Sequence, residues 1–115
     1  MVEIKYKNSR AGIENGFELS FNFKKYIPEK YWQGNLFDME KSFIFDLMEK
    51  SDLFTCDREG FDWFGINHHY CSYKEIKFTL SECDGFCSFF VEPWDITHLS
   101  EIAEALKILI IKTKE

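Results

Sequence analysis

The sequence lacks the features that direct a chain into or across a membrane. Its first residues, MVEIKYKN, do not have the basic and then apolar build of a secretion signal, and no apolar run approaches the roughly 20 residues of a transmembrane helix. Cysteine is also scarce, with four residues among 115. We therefore predict a soluble, cytoplasmic protein, in which reducing conditions keep every cysteine as a thiol. The four are Cys56, Cys71, Cys83 and Cys87.

The sequence motifs of common catalytic and metal sites are absent as well. There is no glycine-rich phosphate loop, no nucleophile elbow, no CxxC pair and no His-x3-His spacing. Internal repeats and low-complexity segments are also missing. We therefore predict a protein that is not an enzyme and that holds no cofactor and no metal.

Basic residues are scarce in the middle of the chain. The formal net charge is −6, and residues 35–106, with fifteen acidic and five basic side chains, carry −10. Such a field repels phosphate backbones and anionic lipid head groups and attracts a basic protein surface. The charge pattern therefore disfavours nucleic acid and membranes as partners and favours a basic protein, although an acidic surface also serves solubility alone.

Apolar and aromatic residues are plentiful. The chain is 45% hydrophobic and 18% aromatic, with thirteen phenylalanines, which suffices for one core and therefore predicts a single domain over residues 1–115. Each aromatic ring buries a large area and needs partners on another layer. We expect some of these rings to reach the surface.

The segment 72–93 has the clearest pattern in the chain. Apolar and polar residues alternate through Ile76, Phe78 and Leu80, which is the period of a strand with one buried face, and Asp84-Gly85 is a strong two-residue hairpin signal. A two-residue loop would pair Leu80 with Phe89. The predicted core face of this hairpin consists of Ile76, Phe78, Leu80, Cys87, Phe89 and Val91.

The N-terminal part shows the same strand period. Two strands are predicted, the second of which ends before Pro28. Their inward positions are Val2, Ile4 and Tyr6, and then Phe17, Leu19, Phe21 and Phe23. A further hairpin is predicted within residues 53–66, because aromatic runs flank the turn composition Asp57-Arg58-Glu59-Gly60.

Two segments have helical periodicity. Asn35 is a predicted N-cap with Asp38 three residues later, and the first helix should end near Lys50, presenting a negative face made of Asp38, Glu40, Asp46 and Glu49. The second helix follows Pro93, although its residues 108–111, ILII, would also suit a strand. Together these elements predict an α+β fold, an antiparallel sheet of about five to six strands with two helices in the order ββα-ββββ-α.

A group of acidic and aromatic residues is the best candidate for a binding site. Trp63 lies among Asp57, Glu59 and Asp62, and a rigid aromatic among carboxylates suits docking of a basic protein, because the aromatic supplies contact area while the acids steer the encounter. The alternative is that Trp63 simply fills the core.

The sequence is also compatible with two other functions. His69 and Cys71 project to one face of a strand, so that with His68 and a further ligand from Cys83, Cys87 or His98 they could form a metal site or a thiol-dependent enzyme. The chain could also be a structural subunit whose surplus aromatics are buried in a homo-oligomer.

In its small size, acidity and aromatic content, the chain resembles the immunity proteins that neutralise bacterial toxins. The resemblance matches no residue motif and so assigns no binding residues. It implies a bacterial, cytoplasmic inhibitor that occludes the active site of a basic toxin domain, for example a nuclease, without catalysis of its own.

Overall fold

A computed structural model of the chain describes residues 1–8, 15–56, 68–83, 86–91 and 96–113. It is an α+β fold in which a six-stranded antiparallel sheet packs against helices. The strands are β1 (Glu3–Asn8), β2 (Asn15–Ser20), β3 (Phe54–Cys56), β4 (His68–Tyr73), β5 (Ile76–Cys83) and β6 (Phe86–Val91). The helices are α1 (Phe23–Tyr26), α2 (Leu36–Glu49) and α3 (Ile96–Lys112), with a 3-10 helix at Glu29–Tyr31.

The sheet order is β1-β2-β6-β5-β4-β3, so the N-terminal hairpin joins the sheet beside β6. This pairing sets Phe17 opposite Phe89, and the two buried rings stack with centroids 4.9 Å apart. On the other face of the same strands, Gly16 lies opposite Phe90, where a side chain at position 16 would collide with the Phe90 ring. A glycine is therefore required for β2 and β6 to approach.

The pairing of β5 with β6 confirms the register predicted for the central hairpin. Phe78 pairs with Val91, Leu80 with Phe89 and Glu82 with Cys87. All six residues of the predicted core face belong to the hydrophobic core or pack against it. The hairpin loop, Asp84-Gly85, lies outside the described residues.

The prediction that the sheet has only one buried face is wrong for its central strands. Four residues on the opposite face of β5 and β6 are also buried. They are Thr79, Ser81, Ser88 and Phe90. Three of these side chains are small. Thr79 Oγ1 also donates a hydrogen bond to the Phe90 carbonyl oxygen at 3.3 Å. The alternation of polar residues here therefore marks a change of side-chain size rather than exposure to water.

The second N-terminal strand is shorter than predicted. It ends at Ser20, and the predicted inward residues Phe21 and Phe23 lie beyond it, because Asn22 caps the short helix α1 by accepting a hydrogen bond from the Lys24 N–H at 3.0 Å. The alternation of phenylalanines in the sequence thus continues beyond the end of the strand. Phe21 and Phe23 still pack against the core from there.

Both predicted helices are present and contact each other on the same side of the sheet. Asn35 caps α2 as predicted, since its Oδ1 accepts a hydrogen bond from the Asp38 N–H at 2.8 Å. Residues 108–111, which would also suit a strand, lie within α3. Among the described residues, none of the helices has the length and apolar character that a bilayer crossing requires.

The prediction that all cysteines are thiols is wrong, because Cys56 and Cys71 form a disulfide. The sequence predicted that β3 would pair with a strand inside residues 61–66, which lie outside the described residues. Within the described residues, β3 pairs with β4, and this register sets Cys56 directly opposite Cys71. Cys87 is a buried free thiol.

Candidate functional site

The residues first predicted to bind a partner, Asp57, Glu59, Asp62 and Trp63, lie outside the described residues. Their role stays a prediction. The other acidic surface predicted from the sequence, on the first helix, is described by the structure and can be built residue by residue.

The outward face of α2 carries a row of carboxylates. The side chains of Asp38, Ser42, Asp46 and Glu49 follow one another at spacings of four, four and three residues, which places them on one face of a helix. Asp38 and Glu49 are exposed, and Ser42 and Asp46 are half-buried. We call these four residues the acidic stripe. It runs along α2 from its first turn to its last.

Glu40 was predicted to belong to the same negative face, and this prediction is wrong. Glu40 lies three residues after Phe37 and four before Ile44, so it turns toward the core, where only 6% of it is exposed. Burial raises its pKa to about 7, the Glu18 carboxylate adds to the rise, and a backbone hydrogen bond at Cys87 opposes it. The spacing of Glu40 from Phe37 and Ile44 in the sequence already indicated that Glu40 faces the core.

Two consecutive aromatic residues precede the acidic stripe in the chain, and hydrogen bonds hold both of them in place. The Tyr31 hydroxyl donates a hydrogen bond to Asp46 Oδ2 at 2.6 Å, and its ring meets the Phe43 ring edge-on with centroids 5.7 Å apart. Trp32 Nε1 donates to the Ile27 carbonyl oxygen at 2.9 Å, while 37% of Trp32 remains exposed. Both rings are held by hydrogen bonds, so ordering them on contact with a partner would cost little entropy.

A cleft of about 370 Å³ opens between the 3-10 helix and the first half of α2. Its walls are polar and aromatic. They consist of Lys30, Tyr31, Gln33, Gly34, Asp38 and Ser42. Lys30 extends its ammonium over the Tyr31 ring, 5.2 Å from the centroid, so one face of that ring already accommodates a cation.

Gly34 shapes the entrance of this cleft. Its φ of +74° lies in the left-handed region, and a Cβ there would sit 3.0 Å from an Asp38 carboxylate oxygen. Glycine thus lets the chain turn into the N-cap residue Asn35 while leaving the Asp38 carboxylate accessible. The cleft and the acidic stripe share Asp38 and Ser42 and form one continuous surface.

The structure separates the residues of the alternative metal or thiol site. His69 and Cys71 do face the same side of β4, as predicted, but Cys71 is bonded to Cys56 and has no thiolate to offer. His69 is buried, with its ring edge-on to Phe45 at 4.8 Å between centroids. Within the described part of the chain, no three His, Cys, Asp or Glu side chains are grouped closely enough to hold a metal ion.

His98 was also named for that alternative, and it belongs to α3. Its Nδ1 lies 3.3 Å from an oxygen of Glu101, a residue that also reaches Lys74 at 3.7 Å. These are exposed surface contacts of small energetic value. They tie the start of α3 to the turn between β4 and β5.

Among the described residues, the surface aromatics expected from the composition are tyrosine and tryptophan. The exposed large apolar residues among those described are Met1, Tyr6, Trp32, Leu53, Tyr70 and Ile108. Tyr31 and Trp32 were not among the binding residues predicted from the sequence. The nearby glycine and capping asparagine, residues 34 and 35, were the available sign that these rings lie next to the start of the acidic helix.

Comparisons with known proteins add no relative: no family model, no curated protein and no solved structure matches this chain.

Proposed function

We propose that this protein is a small acidic protein-binding module that binds a basic protein partner through the acidic stripe and the adjacent cleft. In its more specific form, the proposal is that the chain acts as an immunity protein: it occludes the active site of a basic toxin domain and has no catalytic residues. The acids Asp57, Glu59 and Asp62 and the aromatic Trp63 are also proposed to bind the partner.

The observation that carries this proposal is the hydrogen bond that fixes Tyr31 against Asp46 of the acidic stripe, with the partly exposed Trp32 next to Tyr31 in the chain. Aromatic side chains dominate the energy of protein interfaces, and fixed ones lose the least entropy on binding. Carboxylates around them attract a basic partner from a distance and slow its approach in the wrong orientation. A surface that only kept the protein soluble would need neither the hydrogen bond from Tyr31 to Asp46 nor the partly exposed indole.

The charge of the stripe is not cancelled by its own helix. Between residues 36 and 49, α2 has Lys41 as its one basic residue, and this side chain extends over the Phe37 ring with its ammonium 5.1 Å from the centroid. Lys41 is half-buried there. Within α2 itself, acidic side chains therefore outnumber basic ones.

The proposal is tested by affinity capture from the source cell with three baits. The first is the wild-type protein, the second carries Asp38→Lys and Glu49→Lys, and the third carries Glu3→Lys and Glu104→Lys at exposed positions outside the stripe. The two variants have the same net charge, so only the location of the change differs. In the stripe variant, Asp38→Lys loses a favourable charge near the helix N-terminus and Glu49→Lys gains one near the C-terminus, so the net effect on folding is small.

We expect a basic protein to be retained by the wild type and by the Glu3→Lys, Glu104→Lys variant, and to be retained at least tenfold less by the stripe variant. Equal retention by all three baits, an acidic partner, or no retained protein would contradict the proposal. Thermal melts of the three baits establish that each is folded. If the partner is an enzyme, equimolar wild-type protein should abolish its activity, and a saturated complex that stays active would refute occlusion of its active site.

A further inference from the structure

The Cys56–Cys71 disulfide joins two residues with very different surroundings. Cys71 is 3% exposed and lies within the core, whereas Cys56 is half-buried at the last residue of β3, a strand at the edge of the sheet. We propose that this disulfide is a thiol-exchange site: a low-molecular-weight thiol enters it at the Cys56 sulfur, and opening the bond loosens β3 while the remaining sheet stays folded.

The direction of attack follows from access. Thiol–disulfide exchange requires a thiolate to reach one of the two sulfurs, so the rate depends on how accessible that sulfur is. The core surrounds Cys71, whereas Cys56, whose Sγ contacts Met48 Sδ at 3.8 Å, keeps part of its surface open. A thiolate therefore reaches Cys56 first.

The exchange proceeds in two steps. The thiolate attacks Cys56 Sγ, the bond between the two cysteine sulfurs breaks, and its electron pair goes to Cys71 Sγ, which takes up a proton in the core. A second small thiolate then attacks the sulfur of the small thiol that is bound to Cys56. The mixed disulfide breaks, and Cys56 leaves as a thiolate that takes up a proton. Overall, two small thiols are oxidised to one disulfide while the protein disulfide is reduced to two thiols.

The effect of opening is local because β3 is small and peripheral. It has three residues, and among the described strands it pairs with β4 and is the last in the sheet order. The disulfide closes a loop with a sequence separation of 15, so its loss restores freedom to this part of the chain. β3 contributes one ring to the core, Phe54, which meets Phe78 edge-on, whereas the fully buried Phe78, Leu80 and Phe89 belong to β5 and β6, which pair with each other. Short edge elements of this kind open independently of the global fold.

The first test maps the exchange. Oxidised protein carrying Cys83→Ser is incubated with reduced glutathione, denatured in acid, alkylated and digested. Cys87 serves as the internal control, since it is 1% exposed and burial, assisted by Glu40, raises its pKa well above the usual value. We expect glutathione on Cys56 at least tenfold more often than on Cys71. Equal labelling, labelling mainly at Cys71, or no exchange would overturn the proposal.

The second test follows amide hydrogen exchange after reduction by dithiothreitol. Exchange in Phe54–Cys56 should become at least tenfold faster, and exchange in Ile76–Cys83 should change less than twofold. A Cys56→Ala, Cys71→Ala variant should reproduce the reduced pattern and not respond to the reductant. Unchanged exchange in β3 would refute the loosening, and acceleration of all strands together would show that the bond holds the entire fold rather than its edge.

Discussion

Glu40 places a carboxyl group between α2 and the sheet, and this makes the stability of the protein depend on pH. Its folded-state pKa of about 7 lies above the ordinary value of 4.5, so the folded protein holds a proton that the unfolded chain releases between these pH values. The free energy of unfolding therefore falls as the pH rises from about 4.5 to 7 and levels off above that. At about 1.4 kcal/mol per pKa unit, the loss is at most about 3.5 kcal/mol.

Glu40→Gln should remove this dependence. The amide stays neutral at every pH. In urea melts, the free energy of unfolding of the variant should therefore exceed that of the wild type at pH 8 and be closely similar to it at pH 4.5. Asp38→Asn, an exposed change on the same helix, is the control and should keep the wild-type slope. A Glu40→Gln protein with the full wild-type slope would show that another group is responsible.

Phe78 tests the core at the scale of one side chain. It is 1% exposed and lies between the Phe54 and Phe89 rings, with centroids 6.2 and 6.3 Å away. Phe78→Ala should lower the free energy of unfolding by about 3 to 5 kcal/mol, because it removes buried area and leaves a cavity. Lys77→Ala, one residue earlier and exposed, should change it by less than about 0.5 kcal/mol. Urea melts with equal, small shifts would contradict the packing described.

At the scale of the element, the N-cap of α2 stabilises the first helical turn, in which the acidic stripe begins. Asn35→Ala removes the hydrogen bond to the Asp38 N–H and should cost about 1 kcal/mol. Asn22→Ala is the matched control, because the same kind of cap there serves a helix of four residues, and its cost should be less than half as large. Equal losses in urea melts would mean that the length of the capped helix is irrelevant.

The elements also show what sequence patterns can and cannot predict. The pairing of Leu80 with Phe89 was predictable because a strand pattern on each side of a two-residue turn leaves one register that buries both apolar faces. The pairing of Cys56 with Cys71 was not, since the turn composition after Cys56 suggested a local partner rather than the more distant strand that holds Cys71. Local patterns identify elements, while distant pairings depend on the whole sheet.

The candidate site was predictable in part for the same reason. Helical spacing placed Asp38, Asp46 and Glu49 on one face, and it would have excluded Glu40 had its neighbours Phe37 and Ile44 been weighed. The cleft could not be predicted, because the chain reaches α2 through a 3-10 helix and a left-handed glycine that have no periodic signal. Irregular backbone of this kind acquires its shape from tertiary contacts.

At the scale of the whole molecule, the role of Trp63 is a prediction of its own. If Trp63 is a buried anchor in the complex, Trp63→Ala should mainly speed dissociation and weaken binding by about 2 kcal/mol or more. Reversal of Asp57 or Glu59 to Lys should mainly slow association. Surface plasmon resonance on folded variants with the captured partner separates the two rates, and unaltered rates in all of them would leave the acidic stripe as the sole binding surface.

The salt dependence of the association rate tests the central claim most directly. The claim is that the acidic charge of this protein steers a basic partner onto the acidic stripe. Between about 50 and 500 mM salt, the association rate of the wild type should fall at least tenfold while the dissociation rate changes less than threefold. The Asp38→Lys, Glu49→Lys variant should start lower and show a clearly shallower slope than the Glu3→Lys, Glu104→Lys control. An association rate that is independent of salt, or equal slopes in the two variants, would contradict the claim.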